Sequence, residues 1–66
     1  MSDLFDKLSK QIEYAKTCLI PREALYEVYG GIKMALELKA ITPEEFFILN
    51  SECVRDGINN PKYFNR

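Results

Sequence analysis

The sequence predicts an all-α fold: a small three-helix bundle with up-down-up topology and a short C-terminal tail. Apolar residues recur at helical spacing along three stretches of the 66-residue chain. Prolines interrupt that spacing twice, at Pro21 and at Pro43. Both interruptions are short, and short connections join antiparallel neighbours. A chain of this length has room for a single domain, which we take to span residues 1–66.

The first helix is expected over residues 3–18. Ser2 is a suitable N-cap. Pro21 disfavours helical geometry at Ile20, so the helix must end before that residue. Counted at about 100° per residue, the apolar positions fall within one arc of about 140°. They are Leu4, Phe5, Leu8, Ile12, Ala15, Cys18 and Leu19.

The second helix is expected over residues 21–39 and is the longest. Pro21 suits its first position, where the missing amide proton costs nothing. The side of this helix that faces the core is predicted to carry seven apolar residues. They are Ala24, Leu25, Val28, Tyr29, Ile32, Ala35 and Leu36.

The third helix is expected over residues 43–56. Thr42 can accept a hydrogen bond from the first turn, and Glu45 can reach back to the Thr42 amide, which makes a capping box. Ile41 and Phe46 stand where apolar side chains pack as a staple across such a cap. The core face of this helix is predicted to hold Phe46, Phe47, Leu49, Cys53 and Val54.

The end of the third helix is predicted at Gly57, in the left-handed conformation that often terminates helices, with Ile58 closing the cap. Asn59-Asn60-Pro61 is typical of a turn. Residues 58–66 then form a tail with two adjacent aromatic residues, Tyr63 and Phe64. These aromatics either fold back over the core or contact a partner.

The composition excludes several classes of function. Nine Lys and Arg against ten Asp and Glu give a net charge of −1, with no His and two Cys. Zinc sites need more ligands than this, and secreted disulfide frameworks need more Cys. The balanced charge predicts no binding to nucleic acid or to a membrane. With neither a signal segment nor an apolar span recognised, we expect a cytoplasmic protein without metal or cofactor.

Catalysis also has little support in the sequence. Neither Cys18 nor Cys53 has a His available as base, and both are expected to be buried, where thiols are unreactive. Glu45, Glu52 and Asp56 are more typical of a solvated helix face than of paired catalytic carboxylates. A glycine-rich phosphate loop is not recognised. We therefore predict no catalytic residues and no enzyme activity.

A second apolar surface recurs at i,i+4 spacing on the side of the second helix opposite Ile32. It consists of Tyr26, Gly30, Met34 and Leu38, which we call the outer face. It is either additional core or a surface for another protein, where Tyr and Met are common. Gly30 is followed by a second glycine, and each costs about 1 kcal/mol relative to Ala in a helix interior. That cost implies close packing inside the bundle, a kink, or close approach of a partner backbone.

Ile48 lies among polar residues on the outward side of the third helix and is a further candidate for a contact. The predicted protein-binding residues are therefore Tyr26, Gly30, Met34, Ile48, Tyr63 and Phe64.

The segment from Leu38 to Phe46, LKAITPEEF, resembles the corner of SHOCT domains. These are short C-terminal helical hairpins in which an Ile-Thr and Glu-Glu-Phe signature joins two helices. The resemblance implies self-association, because that family is associated with oligomerisation. Ala40 stands where the family usually has Gly, and the later helix lacks the family's Lys-rich pattern.

The whole chain, and the segment RDGINNP at residues 55–61 in particular, is similar in style to short proteins of bacterial phages and mobile elements. Some small proteins from that setting inhibit host defence enzymes. The resemblance implies a modulator or inhibitor of a host protein, for example a defence nuclease.

The sequence thus favours a small non-enzymatic protein-binding module that acts by steric occlusion of a host protein. One alternative is a self-associating structural module, such as a homodimer. The other is a helix-turn-helix regulator of DNA with the third helix as its reading helix. Glu44 and Glu45 in the first turn of that helix would face phosphates, and Arg55 is its only cation.

Overall fold

The computed structural model describes residues 2–64, and those residues form a bundle of three helices. Helix α1 spans Asp3–Lys16, α2 spans Pro21–Glu37 and α3 spans Pro43–Asn50. The third helix then continues as a π-helical segment, Ser51–Ile58, and a short 3-10 turn follows at Pro61–Tyr63. The predicted all-α three-helix bundle is confirmed. The last two residues of the predicted tail lie outside the described residues.

Helix α2 is the central element, because it packs both against α1 and against α3 with the π segment. The contact between α1 and the third helix is smaller. The buried apolar core draws on all of these elements and on the corner before α3. It consists of Leu8, Ile12, Ala15, Leu25, Ile32, Ala35, Ile41, Leu49, Cys53 and Ile58.

Helix α1 ends at Lys16, two residues earlier than predicted. The Thr17 hydroxyl donates to the Tyr14 carbonyl at 2.7 Å, and the Thr17 amide donates to the same oxygen at 3.0 Å. These bonds tighten the last helical turn, so α1 ends before Pro21 would have ended it. As a result Leu19, predicted on the core face of α1, lies in the connection and is 90% exposed.

Helix α2 also ends two residues early, at Glu37, in a Schellman motif. The Ala40 amide donates to the Ala35 carbonyl at 2.8 Å, and the Lys39 amide donates to the Leu36 carbonyl at 3.0 Å. Lys39 takes the left-handed conformation that this motif requires, with φ of 59°. Glycine is the usual residue there, so a lysine gives no sequence signal of the helix end.

The predicted end of the third helix at Gly57 is wrong. The helix runs on to Ile58, and the Asn59 amide donates to the Val54 carbonyl five residues back, at 2.8 Å. Gly57 has no positive φ and is buried. A Cβ atom at Gly57 would lie 2.9 Å from Leu25 Cδ1, so this glycine lets the π segment approach α2 closely.

The prediction that Phe47 belongs to the core face of the third helix is also wrong, because its side chain is 71% exposed.

The corner before α3 confirms the predicted capping box and adds a long-range contact to it. The Thr42 hydroxyl accepts from the Glu45 amide at 3.0 Å, and Glu45 Oε1 accepts from the Thr42 amide at 2.9 Å. Glu45 Oε2 also accepts from the Ser2 amide at 3.3 Å and from the Ser2 hydroxyl at 3.2 Å. Because Ser2 caps α1, one carboxylate joins the N-termini of two helices, where negative charge is favourable.

Acid should weaken the hydrogen-bonded contact of Glu45 with Ser2 and Thr42. Hydrogen bonds from the backbone of Thr42 and then of Ser2 hold the pKa of Glu45 below its ordinary value of 4.5. A carboxyl with a lowered folded-state pKa stabilises the fold above its unfolded-state pKa, and that stability is lost as the pH falls through the folded-state pKa. Glu45→Gln should therefore lower the melting temperature at pH 7, and the difference from wild type should shrink at pH 3.

The measurement is thermal unfolding followed by circular dichroism at the two pH values. Glu44→Gln is the matched control, because Glu44 is an exposed neighbour in the same first turn. An equal difference between Glu45→Gln and wild type at both pH values would show that the ionised carboxylate does not stabilise this corner.

Candidate protein-binding surface

The outer face of α2 is exposed along its whole length. Tyr26 is 55% exposed, Met34 is 54% exposed and Leu38 is 70% exposed, and Gly30 lies between the first two at the surface. The interpretation of these residues as additional core is therefore wrong. Helices α1 and α3 cover the opposite side of α2, where Leu25 and Ile32 are fully buried.

The two glycines of α2 make no close contact within the bundle. A Cβ atom at Gly30 or at Gly31 would have no neighbour within 4 Å. The interpretation that tight internal packing requires them is therefore wrong for the described part of the chain. Each glycine weakens the helix by about 1 kcal/mol relative to Ala, and no contact between residues 2 and 64 offsets that cost.

Charged side chains lie beside the apolar residues of the outer face. Glu27 and Lys33 are exposed on either side of Gly30. Among residues 2–64 the ion pairs are Lys16 with Glu13 and Arg55 with Asp56, so neither Glu27 nor Lys33 has an ionic partner there. The Lys33 ammonium lies 5.4 Å from the centre of the Tyr29 ring. Both charges are available to an incoming protein surface.

The other predicted contact residues lie apart from the outer face. Ile48 is half-buried on α3. The tail folds back onto the start of α2: the Arg22 guanidinium lies 4.9 Å from the centre of the Phe64 ring, and Arg22 Nε donates to the Ile58 carbonyl at 3.0 Å. Tyr63 is half-buried in the same turn. The structure brings Tyr26, Gly30 and Met34 together and separates them from the rest of the predicted set.

Four exposed apolar side chains were missed as contact candidates. They are Tyr14 on α1, Leu19 and Ile20 in the first connection and Phe47 on α3. Phe47 follows Phe46 directly, and successive residues of a helix point about 100° apart, so both cannot face one narrow core. The adjacency of Phe46 and Phe47 in the sequence therefore indicates that one of the two is exposed. Tyr14 and Phe47 serve below as controls because they lie on other helices.

The two cysteines differ in burial. Cys53 is fully buried, its thiol donates to the Leu25 carbonyl at 3.3 Å, and burial raises its pKa to about 11. A thiol with this pKa stays protonated near neutral pH and is a poor nucleophile. Cys18, predicted to be buried, is only half-buried and donates to the Tyr14 carbonyl at 3.6 Å. Both thiols are free.

The acidic side chains of the third helix do not converge on one point. Glu45 belongs to the corner with Thr42, and Glu52 accepts from the Ser9 hydroxyl at 3.5 Å. Asp56 pairs with Arg55 at 3.1 Å, and the Arg55 guanidinium holds the pKa of Asp56 below its usual value. The cation of the supposed DNA-reading helix is thus already paired with a carboxylate, which does not favour phosphate binding.

Within residues 2–64 no pocket is found, and no group of three or more His, Cys, Asp or Glu side chains is placed to hold a metal ion. In the same part of the chain, no helix is both long enough and apolar enough to cross a membrane.

Comparison with known proteins gives no match to a family model, to a curated protein or to a solved structure.

Proposed function

We propose that this protein is a non-enzymatic protein-binding module whose contact surface is the outer face of α2. The observation that carries the proposal is the row of exposed apolar side chains, Tyr26, Met34 and Leu38, around a glycine that the bundle does not need. Burying large apolar side chains contributes about 25 cal/mol for each Å² removed from water. Tyr and Met are also enriched at protein interfaces.

The glycine defines the kind of partner that fits this surface. A helix position without a side chain lets another backbone approach closely, as small residues do at helix–helix contacts. The flanking Tyr26 and Met34 would then pack on both sides of the approaching element, and Glu27 and Lys33 would form a polar rim. A second helix is the element that fits this arrangement.

A finer form of the proposal is a modulator or inhibitor of a host protein, such as a defence nuclease, that acts by covering part of that protein. Its support is the similarity in style to small proteins of phages and mobile elements. We also propose that the module works in the cytoplasm, on the support of its two free cysteines, since thiols persist in reducing compartments.

The test is capture of partners by the tagged protein from the cell that makes it. The double variant Tyr26→Ala with Met34→Ala should no longer capture the partner, because the two substitutions remove large side chains from the outer face. Tyr14→Ala with Phe47→Ala is the matched control, since it removes two exposed side chains of similar size from α1 and α3. Capture that survives the first pair, or is lost equally with the control pair, would contradict the proposal.

A further inference from the structure

We propose that the protein bound by the outer face of α2 is a second copy of this chain. The two α2 helices would pack antiparallel about a twofold axis at Gly30. This inference rests on the proposed function, because it names the partner for the same surface. It is drawn from the spacing of the exposed residues around Gly30 and from the charges that this spacing places opposite one another.

Four exposed residues of α2 are arranged symmetrically around Gly30, whereas Leu38 has Arg22 as its counterpart eight residues before Gly30. Tyr26 and Met34 stand four residues before and after it, and Glu27 and Lys33 stand three residues before and after it. In an antiparallel twofold pair, residues equally far from the axis lie at the same level on the two helices. Tyr26 of one copy therefore lies at the level of Met34 of the second copy, and Glu27 lies at the level of Lys33. We call two residues at the same level on the two helices a match, and each match occurs twice, once on either side of the axis.

The antiparallel arrangement is favoured over the parallel one by charge. A parallel twofold pair would place each residue beside its own copy, so Glu27 would meet Glu27 and Lys33 would meet Lys33. The antiparallel pair replaces both repulsions by two attractions of opposite charges. Neither Glu27 nor Lys33 has an ionic partner within the described bundle, so both charges are available for this contact.

One like-charged match remains in the antiparallel pair. Glu23 and Glu37 stand seven residues before and after Gly30, so they lie at one level, about 10 Å along the helix from the axis. Packed helices usually cross at an angle, which separates their ends while the centres stay in contact. The repulsion is weakened by that separation and by water, and it lowers the affinity of the pair.

Gly30 occupies the position where the two helices would be closest. Packed helices stand about 8–10 Å apart depending on the side chains at the contact, and a glycine at the crossing point allows the short end of that range. This gives Gly30 a role that the single chain lacks, because a Cβ atom there would touch nothing within 4 Å. Nothing in the structure explains Gly31.

The size of the surface predicts a weak pair. A stable dimer usually buries about 800 Å² on each partner. The described chain exposes 4561 Å² in total, and one face of a single helix is a small part of it. We therefore expect a transient dimer with a dissociation constant on the order of 10–100 μM, in the range of small interfaces.

The experiment is sedimentation equilibrium of the purified full chain, from about 5 μM to about 500 μM, a range that spans the expected dissociation constant. The wild type should shift from monomer to dimer with concentration. Glu27→Lys alone and Lys33→Glu alone should each weaken the dimer about ten-fold, because each creates two like-charged matches. An equimolar mixture of the two variants should restore it as a heterodimer, in which both matches between positions 27 and 33 have opposite charges.

A second pair of variants tests the place of the axis. Gly30→Leu should leave the chain monomeric, because the side chain would hold the two helices apart. Gly31→Leu is the matched control and should still dimerise, because Gly31 lies about 100° around the helix from Gly30. Neither position has a neighbour within 4 Å, so circular dichroism should show both variants folded.

A wild type that remains monomeric up to the highest concentration would overturn this inference. If capture of another protein still depended on Tyr26 and Met34, the proposed function would stand while the self-pairing failed. Dimerisation without rescue in the mixture of charge variants would overturn the antiparallel arrangement about Gly30. Dimerisation that persists in Tyr26→Ala with Met34→Ala would overturn self-pairing through the outer face, and the proposed function would then be contradicted only if capture of other proteins also survived this double substitution.

Discussion

Leu25→Ala is expected to lower the free energy of unfolding by about 2–5 kcal/mol, the usual range for a buried leucine. Leu25 is fully buried in the first half of α2, its Cδ1 atom would lie 2.9 Å from a Cβ atom at Gly57 in the π segment, and its carbonyl accepts from the Cys53 thiol. Truncation would leave a cavity between α2 and the π segment. A chain of this length has a total stability of only about 3–10 kcal/mol, so the variant should be close to unfolded.

Urea denaturation followed by circular dichroism measures this loss. Leu25→Met is a second, milder substitution at the same position, and that variant should remain folded. Leu19→Ala is the matched control, because it removes the same atoms from a leucine that is 90% exposed. The control should change the free energy of unfolding by less than about 0.5 kcal/mol. Equal losses from Leu25→Ala and Leu19→Ala would contradict the packing of the third helix on α2.

Gly57→Ala is expected to lower the free energy of unfolding by about 1–2 kcal/mol. Its Cβ atom would lie 2.9 Å from Leu25 Cδ1 and 3.4 Å from the Glu52 carbonyl oxygen. Leu25 is fully buried and cannot move its side chain aside freely. Overpacking of this kind costs about 1–3 kcal/mol, and the better helix propensity of Ala offsets up to about 1 kcal/mol of it.

The chain contains its own controls for Gly57→Ala. Gly30→Ala and Gly31→Ala should each raise the free energy of unfolding by about 0.5–1 kcal/mol, because both sites are helical and open. In a double-mutant cycle, Gly57→Ala should cost less in a Leu25→Val background, where the opposing Cδ1 atom is gone and the truncation is milder than in Leu25→Ala. A Gly57→Ala protein as stable as Gly30→Ala would show that the π segment does not approach α2 closely.

The parts of the fold that were predicted correctly depend on local chemistry. The start of α3 follows from Thr42 and Glu45, which are three residues apart, and the start of α2 follows from Pro21. Each signal acts within one helical turn, so the sequence contains all of it. The amphipathic spacing likewise identified Leu25 and Ile32 as core, because a helix has one buried side.

The parts that were predicted wrongly depend on contacts between distant residues. A glycine near a helix end favours either a left-handed cap or a close approach, and the position of Leu25 decides between the two at Gly57. The bond from Ser2 to Glu45 joins residues far apart in sequence and has no local signal. Lys39 ends α2 in a conformation where glycine is expected.

The candidate site on the outer face of α2 could likewise be predicted from the sequence only in part. Its i,i+4 spacing was evident in the sequence, and Tyr26 and Met34 do share one side of the helix. Whether that side was core or surface depended on where α1 and α3 pack around α2. Those helices pack on the opposite side and leave Gly30 open, which the spacing alone could not determine.

The most direct measurement of whether the outer face of α2 binds protein is site-specific photo-crosslinking in the cell that makes the chain. A benzophenone amino acid replaces Tyr26 in one variant and Tyr14 on α1 in another, since both side chains are exposed tyrosines. We expect irradiation to attach a protein, either a second copy or a different chain, at position 26 and not at position 14. No adduct at position 26, or equal adducts at both positions, would contradict binding through this face.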